Sequence, residues 1–184
     1  MSVVLFTGGC RSGKSALAQQ WTEQHGRSCV YLATASVHDD EMAARVAAHQ
    51  ATRGSVWNTL ELAAEPDPLD LPSALTRVTG SRQADGHAVL IDCTTLWLAG
   101  LMMHGLDDQA IVGRVNALCS SLQQSAVPVA LVHNETGWGI VPDNALGRRF
   151  RDVSGLMGQR LAAVCNEVIL AVCGLPVVVK KGSP

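Results

Sequence analysis

Short apolar runs, many of them β-branched, alternate along this chain with longer stretches in which apolar residues recur every three or four positions. "VVLFT" (3–7), "CVYLA" (29–33), "HAVLID" (87–92) and "VPVALVH" (127–133) have the length and continuity of strands buried on both faces. "EVILAV" (167–172) and "PVVVK" (176–180) predict two more, joined through the turn residue Gly174. The 3.6-residue pattern predicts helices over about 13–25, 39–52, 94–104, 108–125 and 143–165. Such alternation calls for right-handed crossovers and an α/β fold: a mostly parallel sheet with helices on both faces. The last two strands are too close for a helical crossover and predict an antiparallel hairpin at one edge. Residues 64–87 are polar and Pro-rich and read as a surface connection carrying a short helix.

The 184 residues, 47% of them hydrophobic, suit one domain with a sizeable core. A net charge of −2 with no long basic run argues against nucleic acid or an anionic membrane as partner. One Tyr and two Phe supply few platforms for base stacking. Six cysteines (Cys10, Cys29, Cys93, Cys119, Cys165, Cys173) show no CxxC spacing, and several sit in apolar runs, which predicts free buried thiols in a reducing compartment. The opening "MSVVLFTGG" lacks the basic start of a signal peptide, and no stretch approaches the ~20 apolar residues of a membrane span. A soluble, cytoplasmic protein is expected.

"VVLFTGGCRSGKS" then adds chemistry to the pattern. It reads strand, glycine-rich loop, helix, and Gly8, Gly13, Lys14 and Ser15 match G-x-x-x-x-G-K-[ST]. Glycines let backbone N–H groups turn inward around a phosphate, and the helix aims its positive end there. Lys14 is expected to reach the β and γ phosphates and Ser15 to ligate Mg²⁺. An acidic group at the end of a neighbouring strand normally completes the metal shell, and Asp92 in "AVLIDCTT" has that setting. Asn134 and Glu135 in "LVHNETG" fall at the same edge, with Glu135 open between a catalytic role and a loop-shaping hydrogen bond. These features predict one P-loop NTPase domain of the RecA-like kind over 1–184. No N-K-x-D segment is present, which argues against a switch GTPase but not against GTP as a substrate.

"RVAAHQATR" (45–53) sets His49 one helical turn from Arg45 and from Arg53, all on one face. Two cations beside an imidazole disfavour its protonated form. From these residues alone His49 is either part of a solvated helix face or a nucleophile. The other five histidines (His25, His38, His87, His104, His133) read as surface or loop residues, with His133 the foremost exception because it precedes "NETG".

Nearly the whole chain resembles the bifunctional adenosylcobinamide kinase/adenosylcobinamide-phosphate guanylyltransferase family. The tracts that carry the resemblance are "TGGCRSGKS", "YLATASVHDDEMAARVAAHQATR", "HNETGWGIVPDNALGRRFRDVSGLMGQRLA" and the closing Cys173-Gly174 turn. The resemblance implies phosphorylation of the aminopropanol hydroxyl of adenosylcobinamide by ATP or GTP. GMP transfer from GTP to the new phosphate follows, through a guanylylated histidine that matches His49. It implies nucleotide contacts at Gly8, Gly9, Cys10, Arg11, Ser12, Gly13, Lys14 and Ser15, at Ala33, Thr34 and Ala35, at Gln50, Ala51, Thr52 and Arg53, at Glu61, and at Asp92; the chemistry of the step adds Arg45, which with Arg53 keeps the imidazole neutral and stabilises charge on the α-phosphate oxygens. Mg²⁺ would be held by Ser15 and Asp92, directly or through water. Cys10 stands where relatives commonly carry Ala, and "QATR" stands where they often read K-D-G-R, so Gln50, Ala51 and Thr52 are left with backbone contacts. The resemblance also implies a homotrimer. The "GWGIVP" loop, followed by "RRFRD", would cover the corrinoid or join a subunit contact, and its Trp138 either touches the corrinoid or simply packs.

Two other readings of the motifs stand beside this one. A small-molecule kinase without nucleotidyl transfer would leave His49 without a role. An NTPase module that switches a protein partner would need an arginine in trans, for which "GRRFR" (147–151) is the candidate.

Overall fold

The computed structural model describes residues 2–34, 54–80 and 86–182. Their order is β1 (Val3–Gly8), α1 (Lys14–His25), β2 (Ser28–Ala33), β3 (Trp57–Glu61), α2 (Leu71–Gly80), β4 (His87–Asp92), α3 (Thr94–Met103), α4 (Asp108–Gln123), β5 (Val129–Asn134), α5 (Ala145–Val164), β6 (Glu167–Val172) and β7 (Leu175–Lys180). The strands form a seven-stranded sheet in the order β3-β2-β4-β5-β1-β6-β7. Every pairing is parallel except β6 with β7, the expected edge hairpin. Element ends differ from the sequence reading by one or two residues, as fraying ends do. The helix expected over 39–52 lies outside the described residues.

Alternation along the central strands divides the core in two. Val3 and Leu5, Val89 and Ile91, and Val129 and Leu131 face the helices α2, α3, α4 and α5. Val4 and Phe6, Leu90, and Ala130 and Val132 face α1 through Ala18. This is the period-2 geometry that puts successive side chains on opposite faces. Helix α3, "TTLWLAGLMM", is apolar nearly all round because it is buried between the sheet and other helices. Its Trp97 is 1% exposed and donates its indole N–H to the Leu69 carbonyl at 2.9 Å, so the one polar atom of a large core side chain is satisfied.

Three expectations need correction. Strand β3 was not legible, because "WNTLE" is a mostly exposed edge strand whose polar Asn58 and Thr59 break any apolar run. Cys10 and Cys173 are exposed thiols, whereas Cys29, Cys93, Cys119 and Cys165 are free and buried as expected. His87 is a core residue and not a surface or loop one, and His133, named as the exception, is buried too. His87 is held by the Val78 carbonyl at 2.9 Å, and His133, 3% exposed, meets the Thr94 hydroxyl at 3.0 Å through Nδ1.

Burial holds the His133 imidazole below its ordinary pKa; the Lys14 charge adds to this, while Glu135 and a backbone hydrogen bond to Ser154 oppose it. The folded state therefore takes up this proton less readily than the unfolded chain. The stability this contributes is complete above about pH 6.5 and drains away as pH falls below it. The melting temperature of the wild type should drop more steeply from pH 7 to pH 5 than that of His133→Asn. Parallel melting curves for the two proteins would contradict this.

Candidate active site

Helix α1 is built to leave its first N–H groups open. Asp107 accepts from Ala110 N at the start of α4, and Asn144 accepts from Gly147 N at the start of α5. Gly13, with φ +94°, precedes α1 without any side-chain cap, and no acid stands in its first turn. The uncapped turn and its dipole favour an anion. The loop before it closes one wall of a cleft of about 480 Å³ lined by Cys10, Arg11, Ser12, Gly13, Lys14, Ser15 and Ala16. Asp92 from the end of β4 and Val132 and Asn134 from β5 line the rest.

Lys14 is 7% exposed and donates from Nζ to the Gly9 carbonyl at 2.9 Å, which folds the ammonium back over its own loop. Its charge reaches across the sheet edge, where it adds to the effect of burial on the His133 imidazole and opposes that of burial on the Cys93 thiol. For Cys93 burial outweighs that effect, with the Asp92 charge adding to it, and the thiol is pushed up to about 11. Cys93 is therefore a buried packing thiol next to Asp92 and not a nucleophile. Among the described residues the buried Ser12 hydroxyl meets no hydrogen-bond partner, and it sits inside a loop whose neighbours line the cleft.

The root of the loop is tied to β5. Glu135 donates its N–H to the Gly8 carbonyl at 3.0 Å, and its carboxylate accepts from the Thr7 hydroxyl at 2.6 Å. The loop-shaping hydrogen bond, one of the two readings left open for Glu135, is present. Thr7 was not singled out from sequence, since a threonine in a strand needs no special reason.

The remaining expected contacts divide by position. Ala33, Glu61 and Asp92 occupy one register row across β3, β2 and β4, at the carboxyl ends of the strands. Thr34 is tied beside them, its hydroxyl donating to the Cys93 carbonyl at 2.6 Å. Ligands of open α/β sheets bind at this edge. A second groove of about 350 Å³ runs along α1 past Gln19 and Tyr31 and shares Ser15, Ala16 and Asp92 with the first. Ala35, Arg45, His49, Gln50, Ala51, Thr52 and Arg53 lie outside the described residues.

For Mg²⁺ the donor set fits. Ser15 and Asp92 bring one hydroxyl and one carboxylate to the same cleft. Mg²⁺ keeps several waters and takes one or two carboxylates plus phosphate oxygens, so a cage of protein ligands is not required. Among the described residues no group of three or more His, Cys, Asp and Glu forms such a cage.

Comparison with solved structures gives the same architecture. An ATPase of a type III secretion system superposes with a TM-score of 0.59 at 11% identity, over 96% of this chain and 56% of that one. A KaiC-like protein from Pyrococcus horikoshii gives 0.52 at 15%, over 92% and 71%. At these identities the likeness shows the fold alone, that of a P-loop NTPase. In sequence, the bifunctional adenosylcobalamin biosynthesis protein CobP of Pseudomonas aeruginosa is 40% identical over 98% of both chains. The corresponding CobU protein of Salmonella typhimurium is 35% identical over 97% of this chain and 99% of its own length. The family model for cobinamide kinase / cobinamide phosphate guanyltransferase matches residues 4–179. With the phosphate loop, the acidic strand end and this match in agreement, the chain belongs to the cobinamide kinase / cobinamide phosphate guanyltransferase family.

Proposed function

We propose that this chain phosphorylates the aminopropanol hydroxyl of adenosylcobinamide with ATP or GTP. It then moves GMP from GTP onto the new phosphate through His49, giving adenosylcobinamide-GDP and pyrophosphate. The observation that carries this reading is the single cleft shared by the loop Cys10–Ser15 and Asp92. Phosphoryl transfer asks the protein mainly to position and to neutralise charge. The uncapped start of α1 and the Lys14 ammonium would gather the β and γ phosphates. The substrate oxygen attacks the γ phosphorus, the bond to the β-bridging oxygen breaks, and the hydroxyl proton leaves to solvent. Ala33, Thr34 and Glu61 would carry the rest of the nucleotide along the strand ends, with Ala35, Arg45 and Gln50 to Arg53 completing the contacts.

In the second reaction an imidazole nitrogen of His49 attacks the α phosphorus and pyrophosphate leaves. The substrate's phosphate oxygen then attacks that phosphorus, the P–N bond breaks, and its electron pair returns to the ring. Arg45 and Arg53 would favour the neutral ring and stabilise the α-phosphate charge. Ser15 and Asp92 would hold Mg²⁺, which supplies neutralisation of the phosphate oxygens when bound. Asp92→Asn should raise the Mg²⁺ concentration needed for half-maximal activity while leaving cobinamide affinity in place; an unchanged Mg²⁺ titration would refute the assignment.

The family resemblance is the ground for proposing a homotrimer, and the β7 edge offers a surface for such a contact. There Leu175, Val177, Val178 and Val179 are all exposed on an edge strand that pairs only with β6 among the described residues, a surface that monomers avoid. The free thiols suit the cytoplasm. Labelled GTP tests the reaction: γ label should appear on cobinamide, and α label should appear first on protein and then in the GDP product. Transfer of γ label alone would leave a plain small-molecule kinase.

A further inference from the structure

The β6–β7 turn touches the phosphate loop at Ser12 and Gly13. Cys173 (φ +52°) and Gly174 (φ +82°) are successive left-handed residues between paired Val172 and Leu175, the geometry of a two-residue type I′ hairpin. The turn projects the Gly174 N–H onto the Ser12 carbonyl at 2.8 Å. Packing is as close as backbone allows. A Cβ built on Gly13 would lie 2.8 Å from Gly174 Cα, and one on Gly8 2.7 Å from the Ala171 carbonyl oxygen.

The Ser12 hydrogen bond has a directional consequence. In a trans peptide the C=O and the following N–H point opposite ways. With the Ser12 carbonyl turned to Gly174, the Gly13 N–H points away from the turn, and Gly13 lines the cleft. Gly13 has no side chain to hold that plane by itself. Glu135 grips the other end of the loop through Gly8, so the two contacts fix it from both sides.

We propose that Gly174 is a positioning residue for the nucleotide: its N–H sets the Ser12–Gly13 peptide so that the Gly13 N–H faces the bound phosphates. This rests on the reading of the cleft as the triphosphate site. Preorganised donors avoid paying reorganisation on binding, so loss of the clamp weakens the triphosphate and spares the acceptor.

An amide-to-ester replacement deletes this one donor without altering a side chain. A synthetic peptide starting at Cys165, with glycolic acid in place of Gly174, is ligated to the recombinant 1–164 thioester and refolded beside a ligated chain with the natural amide. GTP affinity of the ester protein should fall about five- to tenfold, the effect of one net hydrogen bond, while KM for cobinamide stays unchanged. Equal GTP affinity in the two proteins would overturn the proposal, as would a matching rise in KM for cobinamide, which marks general damage. If the amide-bearing chain itself fails to bind GTP, the triphosphate reading falls and the proposal with it. Gly174→Pro provides a recombinant check, because proline lacks the N–H and cannot reach φ +82°. A folded Gly174→Pro with wild-type GTP affinity would equally overturn it.

Discussion

Lys14→Ala should abolish both activities together, with each rate falling by about 10²-fold or more, the usual cost of losing a phosphate contact that strengthens in the transition state. The expectation follows from where the side chain sits. Lys14 is the first residue of α1, buried to 7% exposure and held over the loop by the Gly9 carbonyl. In the proposed mechanism both half-reactions draw on a triphosphate in that cleft, so one substitution should silence both. Its effect on folding should be small, because the ammonium's hydrogen bond is to its own loop and no ion pair depends on it among the described residues. Initial rates of γ-label transfer to cobinamide and of α-label transfer to cobinamide phosphate, with a melting curve to establish the fold, check this. Near-normal kinase turnover in Lys14→Ala would refute the placement of the phosphates.

His49→Ala should separate the two activities that Lys14→Ala removes together. It should take no label from α-labelled GTP and form no adenosylcobinamide-GDP, yet still phosphorylate cobinamide, since γ-phosphoryl transfer goes directly to the hydroxyl. In the wild type the adduct should be lost in acid and survive mild base, the signature of a P–N bond to imidazole. Labelling should decline at low pH as the ring takes up the proton that occupies its attacking lone pair. Normal labelling of His49→Ala, or an adduct that survives acid, would move the nucleophile elsewhere.

How much of this was legible in the sequence depended on how local the determinants were. The phosphate loop is eight consecutive residues whose neighbours are covalently fixed, and its strand–loop–helix setting emerged intact. The alternation of Val3, Val4, Leu5 and Phe6 between two cores follows from strand geometry and needed no partner to be known. Properties set by pairing were not legible. That Ala33, Glu61 and Asp92 share one row depends on registers between β2, β3 and β4, and β3 itself is a polar edge segment. His87 looked like a surface residue and His133 stood out only as the foremost exception, because a histidine bounding an apolar run gives no sign of its partners. Those partners come from α2 and α3, at Val78 and Thr94. Gly174 read as a hairpin glycine, which it is; its second contact, to Ser12, joins residues far apart in the chain. His49 stood out only through its spacing from Arg45 and Arg53 and through family resemblance.

The central claim is that GMP passes through His49, and the most direct measurement is the mass of the intact protein after incubation with GTP and Mg²⁺ without cobinamide. One added GMP per chain is predicted, on a peptide containing residues 45–53, with the modification on His49. Adding adenosylcobinamide phosphate should return the protein to its unmodified mass as adenosylcobinamide-GDP appears. A protein whose mass never changes while that product forms, or an adduct on any other residue, would contradict the account.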